Sequence, residues 1–334
     1  MIPNSRRCPL AMLVLVCISV TVQAAGLAVM VPAYFGSSSP DWKRLADAAQ
    51  RVPLVAIANV DNGPGLARDP AMARVIQRVQ AQGGQVTGYV FSQYAARPLA
   101  VVEADLRHWS EWYGLDGVFI DEMDNQPLMA HLDYYAELRR FAISLNPQWH
   151  VTGNPGINTA EAYVTRATAD TLVVFENDTG YLKNRPDSWN HRYPPPTFCH
   201  LLYTVTNFTT ATNFLGTAVN RGAGFVYVTD DGVDGNPWDR LPKFWDEELL
   251  WIEAWNKTTA RQQLATVTIQ RAGEAPSPLT VGVVGSVGRY VLESSSPLGS
   301  WQALVTNLTT NGRLQWPLVP GELRANRFYR VRQD

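Results

Sequence analysis

The sequence predicts a (β/α)8 TIM barrel followed by a small C-terminal all-β module, on three observations. Between Leu27 and Asn256, eight short apolar runs alternate with amphipathic helical stretches in strand-then-helix order. The first run continues into Val31-Pro32-Ala33-Tyr34-Phe35 instead of a glycine-rich phosphate loop, which argues against a dinucleotide fold. After Asn256 the helical pattern gives way to six short strand-like runs separated by turn residues.

In chain order, residues 1–25 have the parts of an export signal. Arg6 and Arg7 supply charge, Leu10 to Val22 is apolar, and Val22-Gln23-Ala24 offers a small-residue cleavage site. The apolar run is short for a membrane span, so the mature chain is expected to carry none; an uncleaved anchor is the competing reading. Cys8 and Cys17 fall in this segment. Cys199 alone remains afterwards, so no internal disulfide can form and the thiol reads as buried and inert.

The barrel is expected over residues 26–256. Its strand-like runs are Leu27–Phe35, Pro53–Asn59, Gln85–Phe91, Asp116–Met123, Trp149–Pro155, Thr171–Glu176, Phe198–Val205 and Gly224–Thr229. Continuous rather than alternating apolarity suits strands covered on both faces. Helices are expected at Asp41–Arg51, Pro70–Gln82, Leu99–Tyr113, Leu132–Leu145, Thr159–Ala169, Thr210–Asn220 and Asp239–Trp255. Asp69 before Pro70 is a cap, and Gly83-Gly84 a stop. Pro186 and Pro194-Pro195-Pro196 break the stretch after the sixth strand.

A linker is expected at 257–265 and a β-sandwich at 266–334, with strands Thr266–Gln270, Leu279–Val284, Gly288–Ser294, Trp301–Val305, Arg313–Pro317 and Arg327–Arg332. Glycan binding, surface attachment and added stability are the roles its pattern admits. Asn177, Asn207, Asn256 and Asn307 each begin an N-x-Thr sequon.

A net charge of −2 offers no basic field for nucleic acid. The five histidines show no HxH or HExxH spacing, and there is no CxxC, so no metal or other cofactor is expected. A serine hydrolase fits poorly without a G-x-S-x-G elbow.

Barrel enzymes work at the ends of their strands. The fourth run, Asp116-Gly117-Val118-Phe119-Ile120-Asp121-Glu122, ends in carboxylates. Alternation turns Asp121 inward with Phe119 and turns Glu122 away, unless the strand has already bent into its loop. The sixth run ends at Glu176. Two carboxylates facing across a barrel mouth suit glycosidic cleavage, which needs a proton donor and a nucleophile or water-activating base. Each alone is equally a helix cap or an ion-pair partner. Tyr34, Asn59, Tyr89, Asn154, Tyr227, Asp230 and Asp231 lie at other strand ends and are candidates for sugar binding; core filling and turn formation compete for each.

These residues match a family pattern. Val31-Pro32-Ala33-Tyr34, Ile57-Ala58-Asn59, Asn62-Gly63-Pro64-Gly65, Gly88-Tyr89-Val90, Asp116 to Glu122, Asn154-Pro155-Gly156 and Phe175-Glu176-Asn177 together resemble the spherulin-4 (spherulation-specific family 4) proteins over roughly residues 27–256. The resemblance implies a (β/α)8 glycoside hydrolase cleaving the α-1,4-N-acetylgalactosamine linkages of galactosaminogalactan. It implies Asp121 as nucleophile or stabilising carboxylate and Glu176 as acid/base, roles that could exchange, with Glu122 in support. The expectation is a secreted, endo-acting enzyme on an exopolysaccharide of a biofilm or cell wall. The alternative is a non-catalytic glycan-binding or wall- or spore-associated barrel.

Overall fold

The computed structural model describes residues 26–263 and, beyond them, 265–271, 279–285, 288–295, 301–309, 313–318 and 328–333. The export segment expected at residues 1–25 lies outside the described residues.

Eight parallel strands close into a barrel in sequence order: β1 (Ala28–Ala33), β2 (Leu54–Ala58), β3 (Gln85–Phe91), β4 (Gly117–Asp121), β5 (His150–Gly153), β6 (Thr171–Asn177), β7 (Phe198–Leu202) and β8 (Phe225–Val228). β1 pairs with β2 on one side and β8 on the other, which closes the ring. β1, β2 and β7 are buried at every position, as continuous apolarity requires of strands packed on two faces.

The helices are α1 (Asp41–Ala49), α2 (Pro70–Ala81), α3 (Leu99–Tyr113), α4 (Met129–Leu145), α5 (Ala162–Thr165), α6 (Phe208–Asn220) and α7 (Trp245–Gln263). Asp69 caps α2 by accepting from the Ala71 and Met72 amides, and Asn207 does the same for α6 through Thr210. Three buried indoles fill the seams and donate to backbone carbonyls: Trp42 to Phe35, Trp109 to Tyr89 and Trp149 to Leu115.

Two helices differ from expectation. The helix expected at Thr159–Ala169 is a single turn, because Ala167 takes a left-handed φ of 52° and the Thr168 hydroxyl and amide both bond back to the Tyr163 carbonyl. The last helix starts at Trp245 rather than Asp239, since Pro242 lacks an N–H to continue a helix and disfavours helical geometry at Leu241 before it. It then runs to Gln263 through most of the linker expected at 257–265. Nothing between Asn256 and Gln263 breaks a helix, since the stretch holds neither Gly nor Pro.

Asn256 joins the two ends of the barrel segment. Its side chain accepts from the Leu27 amide at 2.7 Å and donates to the Leu27 carbonyl at 2.9 Å.

Residues 25–257 form one compact unit, and 258–334 belong to a second. The second contains two antiparallel three-stranded sheets, ordered β13-β10-β9 and β12-β11-β14. Its strands are β9 (Ala265–Arg271), β10 (Leu279–Gly285), β11 (Gly288–Ser295), β12 (Trp301–Thr309), β13 (Arg313–Leu318) and β14 (Phe328–Gln333). Among the described residues no helix is long and apolar enough to cross a membrane.

Candidate active site

The site grows from the carboxyl ends of β4, β5 and β6. Gly117 lets β4 lie close to β5, because a Cβ there would stand 2.1 Å from the His150 carbonyl oxygen. Inside the barrel the Tyr89 ring stacks with Phe119 at 6.4 Å and meets Tyr34 edge-on at 5.3 Å. The Tyr89 hydroxyl donates to the Asp121 carboxylate at the end of β4. Asp121 therefore points inward, as alternation requires.

The next residue, Glu122, has a φ of 49°, so the chain leaves the strand there. That bend brings Glu122 to the cleft wall alongside Asp121 instead of turning it outward. Its carboxylate accepts from the Gln93 backbone.

Beyond β5 the backbone keeps bridging its neighbours. The Asn154 amide donates to Ile120, the Asn154 carbonyl accepts from Met123, and the Gly156 carbonyl accepts from Glu176. The Asn154 side chain is thereby fixed between two acids. Its Nδ2 donates to Asp121 Oδ1 at 2.7 Å and to Glu176 Oε2 at 2.5 Å. The two oxygens can be no farther apart than the sum of those lengths, about 5.2 Å. A register shift between Val173 and Phe175 in the β6–β7 pairing sits just before Glu176, where a bulge re-aims side chains.

Burial raises both carboxyl groups, but their surroundings separate them. Asp121 is opposed in that rise by donors from the Glu122 backbone, Tyr89 and Asn154. Glu176 is pushed up by burial and by the charge of Asp121 to about 7, against donors from Asn154 and the Trp238 indole. Of the two, Glu176 is therefore the carboxyl whose surroundings favour the protonated form. Glu122 is also raised, by burial and then by Asp121.

A cleft of about 680 Å³ opens over these groups. Among the described residues, its lining includes Asp121, Glu122, Asn154 and Glu176 and contains no Lys, Arg or His. Tyr34 lies close enough for Asp121 and Glu176 to raise its hydroxyl, and Tyr89 supports Asp121 from below.

Four other candidates are elsewhere. Asn59 builds its own loop by accepting from the Gly63 amide at 3.0 Å. Tyr227 is fully buried against Trp245 and Trp238. Asp230 pairs with Arg240 at 2.8 Å and Lys243 at 3.3 Å, and Asp231 pairs with Arg240 at 3.1 Å. These two acids fasten the loop between β8 and α7.

That loop carries Trp238, which the sequence reading did not single out. Its carbonyl accepts from the Tyr34 amide. Tyr94, Asn158, Asn184 and Tyr203 also line the cleft and were not anticipated; they lie in loops, where no periodicity marks them. Among the described residues no group of His, Cys, Asp and Glu is arranged to hold a metal ion.

Residues 28–252 match the profile of Spherulin4, the spherulation-specific family 4. The chain is similar to Spherulin-4 of Physarum polycephalum, at 26% identity over 68% of this chain and 70% of that protein. It is also similar to the crystal structure of Aspergillus clavatus Sph3 in complex with GalNAc, with a TM-score of 0.61 and 23% identity. That match covers 69% of this chain and 98% of the other, and it shows the shared fold.

Proposed function

The chain belongs to the spherulation-specific family 4, and from that premise we propose that it is an exported, endo-acting glycoside hydrolase. Its substrate in this reading is an exopolysaccharide containing α-1,4-linked N-acetylgalactosamine or galactosamine. One observation carries the chemistry: a single Asn154 nitrogen holds Asp121 and Glu176 within about 5.2 Å, and Glu176 keeps its proton to about pH 7. The substrate class is supported by the family and by the GalNAc bound in the Sph3 crystal. A cleft with three carboxylates and no cation in its lining accords with neutral or amino sugars and disfavours uronates. Export rests on the residues at 1–25.

That limit accords with double displacement, for which carboxyl groups stand about 5–5.5 Å apart. Glu176 gives its proton to the glycosidic oxygen as the C1–O bond breaks, and Asp121 attacks C1 to form a glycosyl ester. Water then attacks C1, Glu176 takes the water proton, and Asp121 leaves. Asn154 steadies both carboxylates and drops no proton. Glu122, held by the Gln93 amide, stands beside the nucleophile as a further negative group facing the sugar.

Mass spectrometry and proton NMR of a galactosaminogalactan digest test this reading. Wild type is expected to release oligosaccharides whose new reducing ends first appear as the α anomer. Asp121→Asn and Glu176→Gln should each release none while staying folded by circular dichroism. Wild-type activity in either variant would sink the site assignment. Failure of the wild type on a panel that includes de-N-acetylated polymers would return the protein to the glycan-binding, wall-associated reading.

A further inference from the structure

The β3 side of the cleft has an unusual backbone. Gln93, Tyr94 and Ala95 follow one another with φ of 50°, 55° and 66°. None is glycine, and a left-handed residue costs about 1–2 kcal/mol and normally occurs singly. Glu122 across the seam is also left-handed, at 49°. Such strain persists only where the surroundings over-determine it.

They do so here. The Tyr94 amide donates to the Glu122 carbonyl at 2.8 Å. The Ser92 hydroxyl lies 3.1 Å from the Asp121 carbonyl and 2.7 Å from that of Glu122. Behind the turn, Arg97 lies over the Phe91 ring at 4.1 Å and pairs with Asp105 at 2.7 Å. What all this fixes is the place of one side chain. Tyr94 is 61% exposed, so it fills no core, yet it lines the cleft with Asp121 and Glu122.

A second phenol lines the cleft beyond β7. The Tyr203 ring meets Trp238 edge-on at 5.4 Å, and Trp238 is the indole bonded to Glu176. Around the mouth, Tyr94 therefore precedes Asp121 and Tyr203 follows Glu176.

We propose that Tyr94 and Tyr203 are stacking platforms for the sugars on the two sides of the bond that is cut. This inference rests on the glycosidase reading and deepens it. A phenol ring offers a flat apolar face to the C–H face of a pyranose and keeps its hydroxyl in water. Platforms on both sides of the acid pair hold a sugar on each side of the bond that is cut. The left-handed turn holds the Tyr94 platform in register with Glu122.

The test uses the full chain with Glu176→Gln as parent, which separates binding from turnover. Calorimetric titration is run with hexamers of α-1,4-N-acetylgalactosamine, α-1,4-glucan and chitin. Adding Tyr94→Ala is expected to weaken the galactosamine hexamer about five- to tenfold, and Tyr94→Phe to stay within about twofold. Tyr203→Ala is judged the same way for the opposite platform. An unchanged Kd in Tyr94→Ala, for whichever hexamer the parent binds, overturns that platform. Binding of a glucan or chitin hexamer in place of the galactosamine one overturns the substrate reading, and the Tyr94 comparison still decides the platform. A parent that binds none of the three overturns both.

Discussion

In the proposed mechanism Glu176 couples the chemistry to the stability of the fold. Burial and the neighbouring Asp121 raise its carboxyl to about 7, above the ordinary glutamate value of about 4.3. The folded state therefore binds more protons than the unfolded chain between those two values. The stability this group contributes is present at low pH, is lost as pH rises toward 7, and changes little above that. Between pH 5 and pH 8, wild type should lose about 1–3 kcal/mol more stability than Glu176→Gln, measured by urea unfolding at each pH. Equal losses would place the proton elsewhere. The rate of hydrolysis should fall over the same upper range, as the acid form of Glu176 disappears.

At the scale of elements, the loop between β8 and α7 delivers Trp238 to Glu176. It is tied down by Arg240 on Asp230 and Asp231, by the Lys243 amide on Asp230, and by the Leu241 amide on Asp41. Arg240→Met should release the indole, lowering kcat about tenfold, the scale of one lost hydrogen bond. The basic limb of the pH–rate profile should also move upward, since an N–H that stabilises the Glu176 anion is gone. A fall in kcat with an unmoved limb would mean that Arg240 acts on the fold alone.

The same elements mark how far the sequence could be read. Apolar runs ending in a carboxylate located Asp121 and Glu176 because buried parallel strands leave that mark on the chain. The same mark at Asp230-Asp231 pointed to sugar binding, and in the structure both residues pair with Arg240. Their partner Arg240 lies in a loop, and pairing across a loop has no period to betray it. Glu122 was legible only conditionally, because alternation assumes a straight strand and the left-handed residue lies at the bend. The helix expected at Thr159–Ala169 failed for a local reason, a threonine hydroxyl competing for a backbone carbonyl. Asn154 was placed at a strand end, but its service to both acids depends on three strands at once.

At the scale of the molecule, the family match ends at residue 252 and the first compact unit at 257. A chain stopped after Gln263 keeps every residue of the cleft, the Asn256 contact and the whole of α7. It should fold cooperatively and cleave soluble oligosaccharides within about twofold of the full chain, by thermal unfolding and product analysis. A truncated chain that fails to fold would make the β module part of the barrel's stability.

Asn256 has a consequence for how the protein is produced. It is at once the asparagine of an Asn-Lys-Thr acceptor and the residue whose Nδ2 bonds the Leu27 carbonyl. An oligosaccharide attached to that nitrogen in a eukaryotic secretory pathway would occupy the space in which the first strand meets the last helix. Sugar transfer and barrel closure then compete for one atom, so a bacterial expression host suits this chain better than a glycosylating one.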